Sequence, residues 1–222
     1  MRINLLIIIY CLIVVMSVMY ATQPLQPLLA KEFNITVIQA SWFTAVILLF
    51  MAISPIIYGY TLEKMCAKKM LINASFILLI TNICLGLSTN YEMFLFFRVC
   101  EALVVPAILT SLMSILANID KENVKFNMSI YVAATVFGGL VGRLFSGFIA
   151  TTFSYEYVFY SLSLAILVSI TLINKLDYNG DATIIKPKIN DVINILQDKR
   201  FVIIYFVMFC IFFVFAGVLN VL

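Results

Sequence analysis

Histidine is missing from this sequence, and charged side chains are scarce. None of the 222 residues is histidine and 11% are charged, whereas about 25% are charged in a typical soluble domain. The absence of histidine excludes histidine-based triads and general bases and most zinc sites. The sequence also lacks a Walker-type phosphate loop and a Gly-x-Ser-x-Gly nucleophile elbow. We therefore predict neither an enzyme nor a protein that holds a metal or another cofactor.

The few cysteines and the positive charge indicate no further chemistry. The five cysteines are odd in number and lie mostly in apolar stretches, which is typical of buried apolar side chains and not of a disulfide framework. The net charge of +3 comes from basic residues dispersed between apolar runs, so we predict no nucleic acid as a partner. The cysteines are Cys11, Cys66, Cys84, Cys100 and Cys210.

Long apolar runs dominate what remains. Hydrophobic residues make up 64% of the chain and its mean hydropathy is +1.11, an excess that needs lipid to cover it. A spanning helix takes about 20 apolar residues, and these runs lack the alternation of strands, so we predict an all-α, multi-pass membrane protein. The predicted segments cover residues 4–29, 38–60, 70–89, 92–117, 126–152, 156–174 and 201–222. The first exceeds the apolar part of a cleaved signal peptide, which has about 7–15 residues.

Basic residues indicate the orientation. With the N-terminus in the cytoplasm, eleven lysines and arginines lie in cytoplasmic segments, and only Lys31 lies in an outer turn. This bias follows the positive-inside rule, so we predict a cytoplasmic N-terminus. The eleven are Arg2, Lys64, Lys68, Lys69, Lys121, Lys125, Lys175, Lys186, Lys188, Lys199 and Arg200.

Polar residues divide the chain into three predicted parts. A bundle of six helices is predicted over 1–174, a cytoplasmic connector over 175–200 and a seventh helix over 201–222. Within the connector, apolar residues recur at helical spacing between charged ones, which predicts a short amphipathic helix on the membrane surface. Those apolar residues are Ile189, Val192, Ile193 and Leu196.

Three charged residues interrupt the apolar segments. Arg98 and Glu101 lie in the fourth segment and Arg143 lies in the fifth, where ionisable groups are costly and usually functional. At about 1.5 Å per residue, Glu101 and Arg143 lie at the same depth. Because these segments are consecutive and antiparallel, we predict that Glu101 pairs with Arg143, with Arg98 or with both.

Three roles for this cluster stay open at the level of sequence. The charges form a structural ion pair between helices, or Glu101 carries a proton that drives substrate movement, or the arginines bind an anion.

Two further patterns mark the first and fifth segments. Gln23 and Gln26 lie three residues apart, on one face of a continuous helix, and we predict that they line a substrate cavity with Tyr20. Pro24 frees the carbonyl of Tyr20 and is expected to bend this helix. In the fifth segment, small residues at every fourth position predict close packing against another helix. They are Ala134, Gly138, Gly142, Ser146 and Ala150.

The loop between the second and third segments carries a family signature. Its glycine, acid and bases resemble the loop that identifies the major facilitator superfamily, with glutamate in place of the usual aspartate. Cys66 stands where the family has glycine, and Ala67 where it has a base. The residues of the signature are Gly59, Glu63, Lys64, Lys68 and Lys69.

Two helical elements extend this resemblance. Arg98-Val-Cys-Glu101-Ala102 resembles the family's Arg-x-x-Gln-Gly element of helix 4. The run that holds Gly138, Gly142, Ser146 and Gly147 resembles the helix 5 element of the family's efflux branches, although Arg143 replaces a proline and Ser146 a glycine. The stretch that begins at Tyr20 is similar to helix 1 of bacterial sugar- and drug-efflux permeases.

The resemblance implies a fold and a function. It implies two six-helix halves, each built from three-helix repeats, with substrate bound near the midplane between them. This chain then looks like a truncated permease, holding one half and the first helix of the other. The implied activity is proton-coupled efflux of a small organic molecule, a sugar or a drug, and the implied location is a bacterial inner membrane. The implied partners are substrate, protons, the lipid bilayer and a second half-transporter chain or a second copy. The open alternative is a remnant without transport activity, or a membrane assembly or regulatory subunit.

Overall fold

The computed structural model describes residues 2–62, 65–119 and 122–178, together with positions 201–204, 206, 207 and 210. The chain forms two compact units, Met1–Thr183 and Ile184–Leu222. In the second unit the described positions are helical, and they cover part of the helix predicted over 201–222. The amphipathic helix predicted in the connector lies outside the described residues, and the three-part division stays a prediction.

Helices and turns, with no strand, make up the described part of the first unit. The helices are α1 (Arg2–Ala21), α2 (Gln26–Glu32), α3 (Val37–Leu62), α4 (Ala67–Gly86), α5 (Tyr91–Ile119), α6 (Val124–Thr152) and α7 (Tyr155–Asn174). All but α2 are long and apolar enough to span a membrane. The predicted all-α membrane fold is therefore confirmed, and the ends of α3 to α7 lie within three residues of those predicted.

The first predicted segment is two helices in the structure. α1 ends at Ala21, and α2 begins at Gln26. Pro24 has no N–H with which to continue the helical ladder, and the amide of Gln23 donates to the carbonyl of Tyr20 (3.2 Å) in a turn instead. We expected a bend at Pro24, but the structure has a break. The last carbonyls of α1 are therefore available to donors from other helices.

α1 and α5 occupy the centre of the bundle. α1 packs against α5, α6 and α7, and α5 packs against α3 and α4. α5 is the most buried of the six long helices and α6 the least buried, because one face of α6 consists of exposed apolar side chains. α6 packs more extensively with α1 than with α5, its neighbour in the chain.

The small residues of α6 lie against α1. A Cβ atom on Gly138 would lie 2.8 Å from the backbone of Ile13, and one on Gly142 would lie 2.5 Å from the backbone of Ser17. Neither position therefore accepts a side chain unless the backbone moves. The hydroxyl of Ser17 also donates to the carbonyl of Gly138 (3.0 Å). The contacts advance along both helices in the same direction, so α1 and α6 run parallel.

Candidate functional site at the end of α1

The break after α1 presents polar groups to two neighbouring helices. Residues 19–23 form the last turn of α1 and the start of the following turn, where carbonyls lack the amide partners of a continuing helix. Both intramembrane arginines bond to this stretch: Arg98 reaches it from α5, and Arg143 reaches it from α6.

Arg98 is fully buried and nearly saturated with hydrogen bonds. Its Nε donates to the carbonyl of Phe43 in α3 (3.0 Å), and its Nη2 donates to the carbonyl of Met19 (2.7 Å) and to the hydroxyl of Thr22. Its Nη1 donates to the carboxylate of Glu101. Four of the five N–H donors of a guanidinium are thus engaged, and this one side chain joins α5 to both α1 and α3.

Glu101 balances the charge of Arg98 from the next turn of α5. Its Oε2 lies 2.5 Å from Nη1 of Arg98, and both side chains are 0% exposed. The spacing of three residues places both groups on one helix face. Removing either partner of such a buried pair costs about 3–5 kcal/mol, because the other charge is left uncompensated. The second oxygen, Oε1, accepts no hydrogen bond from the described residues.

Arg143 is half-buried and is held by neutral groups. Its Nε donates to Oε1 of Gln23 (2.7 Å), and its Nη1 donates to the carbonyl of Gly139 (3.1 Å). The carbon of the guanidinium lies 4.1 Å from the centre of the Tyr20 ring. This cation–π contact stabilises the position by about 0.5–2 kcal/mol. The guanidinium is therefore fixed in place while its charge stays uncompensated by these neighbours.

The Nη2 atom of Arg143 is buried, and no described residue accepts a hydrogen bond from it. A buried donor without a partner costs about 1–3 kcal/mol, and more when it is charged. Arg98 thus has a carboxylate partner in Glu101, whereas the described partners of Arg143 are all neutral. The two arginines therefore differ in both hydrogen bonding and charge compensation.

The structure brings Glu101 together with Arg98 and not with Arg143. The predicted alternatives in which Arg143 joins the pair are therefore not found. Arg143 does lie nine residues from the end of α6 at Thr152, about 14 Å along the axis, as its predicted depth required. It turns to the end of α1, however, because α6 packs along α1 more than along α5.

Tyr20 and Gln23 lie beside Arg143, but Gln26 does not. Nε2 of Gln26 donates to the hydroxyl of Thr44 in α3 (2.6 Å). The break after α1 turns Gln23 toward α6 and Gln26 toward α3, whereas a continuous helix would have presented both on one face. All three stay candidates for a substrate cavity.

The loop signature is described in part. Nζ of Lys68 donates to the carbonyls of Asn174 (3.3 Å) and Leu176 (2.5 Å) at the end of α7, where a cation satisfies free carbonyls and opposes the helix dipole. Lys68 therefore ties the start of α4 to the end of α7.

The other members of the signature make no such contact in the described residues. Lys69 is exposed, and Gly59 lies within α3. Glu63 and Lys64 lie outside the described residues.

The row of small residues along α6 that packs against α1, here called the α6 seam, is less crowded at its far end. A Cβ atom on Gly147 would meet only Pro24 at 4.0 Å, whereas Cβ atoms on Gly138 and Gly142 would clash with α1.

Sequence reasoning missed three acceptors of Arg98. The carbonyls of Met19 and Phe43 leave no trace in residue type, because every residue carries a carbonyl. Thr22 did carry a signal, since a hydroxyl two residues before Pro24 lies where a helix is expected to lose a backbone bond. These acceptors come from α1, from the turn after it and from α3, so only the fold brings them to Arg98.

Six apolar helices around a buried ion pair define an integral, multi-pass membrane protein. The sequence matches the family model of the Major Facilitator Superfamily over residues 8–222, and the chain belongs to that family. Its members are transporters and not enzymes, so the resemblance drawn from the loop and the two helical elements is confirmed.

Two curated relatives and one solved structure illustrate the relationship. An uncharacterized transporter of Buchnera aphidicola subsp. Schizaphis graminum is 24% identical over 69% of this chain and 37% of its own length. The inner membrane transport protein YnfM of Escherichia coli is 27% identical over 63% of this chain and 34% of its own length. The chain thus spans little more than a third of the length of these relatives.

The solved structure shares the fold. It is the crystal structure of a bacterial homologue of the human lysosomal transporter Spinster, in an inward-facing and unoccupied conformation. The TM-score is 0.64 at 17% identity, and the match covers 89% of this chain and 49% of the other. About half of that larger chain therefore corresponds to the helices described above.

Proposed function

We propose that this chain forms part of a secondary transporter that exports a small organic molecule, a sugar or a drug-like compound, in exchange for protons. The membership of the superfamily and the transporter relatives support the class of activity. The bias of lysine and arginine supports a cytoplasmic N-terminus, and we propose a bacterial inner membrane as the location. The cavity closes against a second half, whether that half comes from further sequence, from another chain or from a second copy.

The observation that carries the proposal is the junction at Arg98. Glu101 is 0% exposed and bonds to Arg98 through one oxygen only. Arg98 in turn holds the end of α1 through Met19 and Thr22, and α3 through Phe43. A carboxylate so placed controls a contact among three helices.

Protonation of Glu101 would act on that contact. A neutral carboxyl no longer balances the guanidinium, so the buried charge of Arg98 becomes costly in this arrangement. The arrangement of α1, α3 and α5 shown here is then favoured less, and an alternative one is favoured more. A proton and a substrate that prefer different arrangements become coupled in this way.

The test replaces Glu101 with glutamine. The chain is purified under conditions that keep any second half bound and is reconstituted into liposomes, and a proton gradient is imposed in the presence of labelled sugars, drug-like cations and organic carboxylates. We expect the proton gradient to drive transport of at least one compound by the wild type and of none by Glu101→Gln. Glu92→Gln makes the same chemical change at the exposed start of α5 and should retain transport.

Two results would contradict the proposal. One is the absence of gradient-driven movement for every compound in the wild type. The other is unchanged coupling in Glu101→Gln. A thermal unfolding curve for each variant excludes loss of the fold as the cause, and the double variant Arg98→Gln/Glu101→Gln provides a neutral pair if the single variant unfolds.

A further inference from the structure

We propose that Arg143, with Gln23 and Tyr20, forms a recognition site for the carboxylate of an organic monoanion. The inference rests on the proposed function, since it names the chemical class of the transported molecule. It assigns the two intramembrane arginines to different tasks, of which only the one at Arg143 concerns the substrate.

The charge balance of the spans favours an anion. Arg98, Glu101 and Arg143 are the charged residues of the interiors of the six described spans, because the other charged residues lie within the first turn of their helices. Arg98 and Glu101 neutralise each other at 2.5 Å. One positive charge is left at Arg143. A single monoanion compensates it, whereas a dianion would exceed it.

The hydrogen bonding of Arg143 leaves the required donors. Of the five N–H groups of a guanidinium, one on Nε and one on Nη1 are engaged by Gln23 and Gly139. Of the remaining three, one is on Nη1 and two are on Nη2, and no described residue accepts from Nη2. Two parallel bonds from the edge formed by Nη1 and Nη2 match the geometry of a carboxylate.

The neighbours of Arg143 hold this edge in a fixed orientation. The Tyr20 ring lies 4.1 Å from the guanidinium carbon and sets one side of its plane, while Gln23 holds Nε at 2.7 Å. Both residues belong to the broken end of α1, and broken helices carry substrate sites in other transporters. A guanidinium fixed in this way loses little conformational freedom when a carboxylate binds.

The surroundings indicate an organic anion and not an inorganic one. Val136 and Leu140 lie on α6 about two turns and one turn before Arg143, respectively, and are 70% and 52% exposed. A carboxylate on Arg143 can therefore extend an apolar body along these side chains. We therefore expect the site to take monocarboxylates with an aliphatic or aromatic body.

Calorimetric titration of the purified chain in detergent tests the site. The probes are benzoate and butyrate, each compared with its neutral amide, benzamide or butyramide. We expect at least one acid to bind about tenfold or more tightly than its amide, because only the acid forms the charged double hydrogen bond. Arg143→Gln should abolish this preference, and Arg143→Lys should weaken it, since lysine keeps the charge but loses the fork.

Lys125→Gln is the matched control. It removes the same charge from the same helix, at an exposed position in the first turn of α6, and should leave the preference for the acid intact. Equal binding of acid and amide, absence of binding by both acids, or an unchanged preference in Arg143→Gln would each overturn the proposal. The third result would mean that another basic group attracts the anion.

The binding test and the transport test fail separately. Acid binding that depends on Arg143, without gradient-driven movement of any compound, supports this site and contradicts the proposed function. Proton-driven movement of neutral compounds alone, without acid binding, supports the proposed function and overturns this site.

Discussion

Arg98 and Arg143 bond to the same stretch, residues 19–23 at the end of α1 and in the turn after it. We call Arg98 the closed site, because a carboxylate compensates its charge, and Arg143 the open site, because its described partners are neutral. Arg98 is 0% exposed and has a carboxylate at 2.5 Å. Arg143 is half-buried, rests on the Tyr20 ring and has neutral hydrogen-bond partners. The comparison shows that depth in the membrane alone does not decide what an arginine does.

The residue one turn further along each helix explains much of the difference. Three residues after Arg98 stands Glu101, which supplies the compensating charge. Three residues after Arg143 stands Ser146, whose hydroxyl donates to the carbonyl of Gly142 in its own helix (2.7 Å). Ser146 therefore offers Arg143 no charge, and because it is 0% exposed, a larger acid would overpack this position.

The largest effect on stability is expected when the ion pair at the closed site, Arg98 with Glu101, is broken. Arg98→Met leaves Glu101 buried without a counter-charge and should lower the free energy of unfolding by about 3–5 kcal/mol. Arg143→Met removes an uncompensated charge, so the free energy of unfolding should change by about 1 kcal/mol or less. Denaturant titration in detergent measures both.

The double variant Arg98→Met/Glu101→Leu is the control for this prediction. It removes both charges at similar volume and should recover most of the lost stability. If Arg98→Met and Arg143→Met lowered the free energy of unfolding equally, the proposed difference between the two sites would be wrong.

A smaller loss of stability is expected from a substitution in the α6 seam, which positions Arg143 beside α1. Gly142→Ala places a Cβ atom 2.5 Å from the backbone of Ser17, and this overpacking should cost about 1–3 kcal/mol. It should also weaken carboxylate binding, because α6 is pushed away from Tyr20 and Gln23. Both effects follow from one displacement.

Gly147→Ala provides the matched control on the same helix. The added Cβ atom would meet only Pro24 at 4.0 Å, so stability and binding should be nearly unchanged. Equal destabilisation by the two alanine substitutions would mean that helix α6 is not positioned by close approach at Gly142.

Much of the fold, and the identity of one of the two sites, could be predicted from the sequence. Apolar run lengths predicted seven spans, because lipid requires a closed helical ladder over a fixed thickness, and six of these are found among the described residues. Arg98 and Glu101 were predicted as one of the alternative pairs, because three residues along a helix fix a shared face. Local spacing was sufficient for both inferences.

The position of Arg143 could not be predicted in the same way. Its depth followed from counting residues along the helix. Its partner, however, depends on whether α6 packs beside α5 or beside α1, and residue spacing within one helix does not determine which helices are neighbours. The sequence predicted a bend at Pro24 and not a break. Because of the break, Gln23 faces α6 and Gln26 faces α3. Backbone acceptors such as the carbonyl of Phe43 were invisible for the reason that all residues share them.

The smallest effect on stability, with a large effect on binding, is expected when the open site is converted into a closed one. Gln23→Glu places a carboxylate where the Oε1 of Gln23 now lies 2.7 Å from Nε of Arg143. The new pair should raise the free energy of unfolding by about 1 kcal/mol or less, since a partly exposed ion pair contributes little. Benzoate binding should disappear, because the charge is already compensated.

Gln26→Glu adds the same charge three residues away, beside Thr44, and should leave most benzoate binding in place. The titration that measures Arg143→Gln serves for both variants. Retention of full benzoate affinity by Gln23→Glu would show that the anion does not meet Arg143.

The central claim, that one intramembrane arginine is closed and the other is open to an anion, is tested most directly by arginine-selective labelling. The purified chain is treated with phenylglyoxal, with and without benzoate, and modified residues are mapped by mass spectrometry. We predict that Arg143 is modified in the folded protein, that benzoate slows its modification more than benzamide does, and that Arg98 stays unmodified until the protein unfolds. Modification of Arg98 as fast as that of Arg143, or a rate at Arg143 that benzoate leaves unchanged, would contradict the claim.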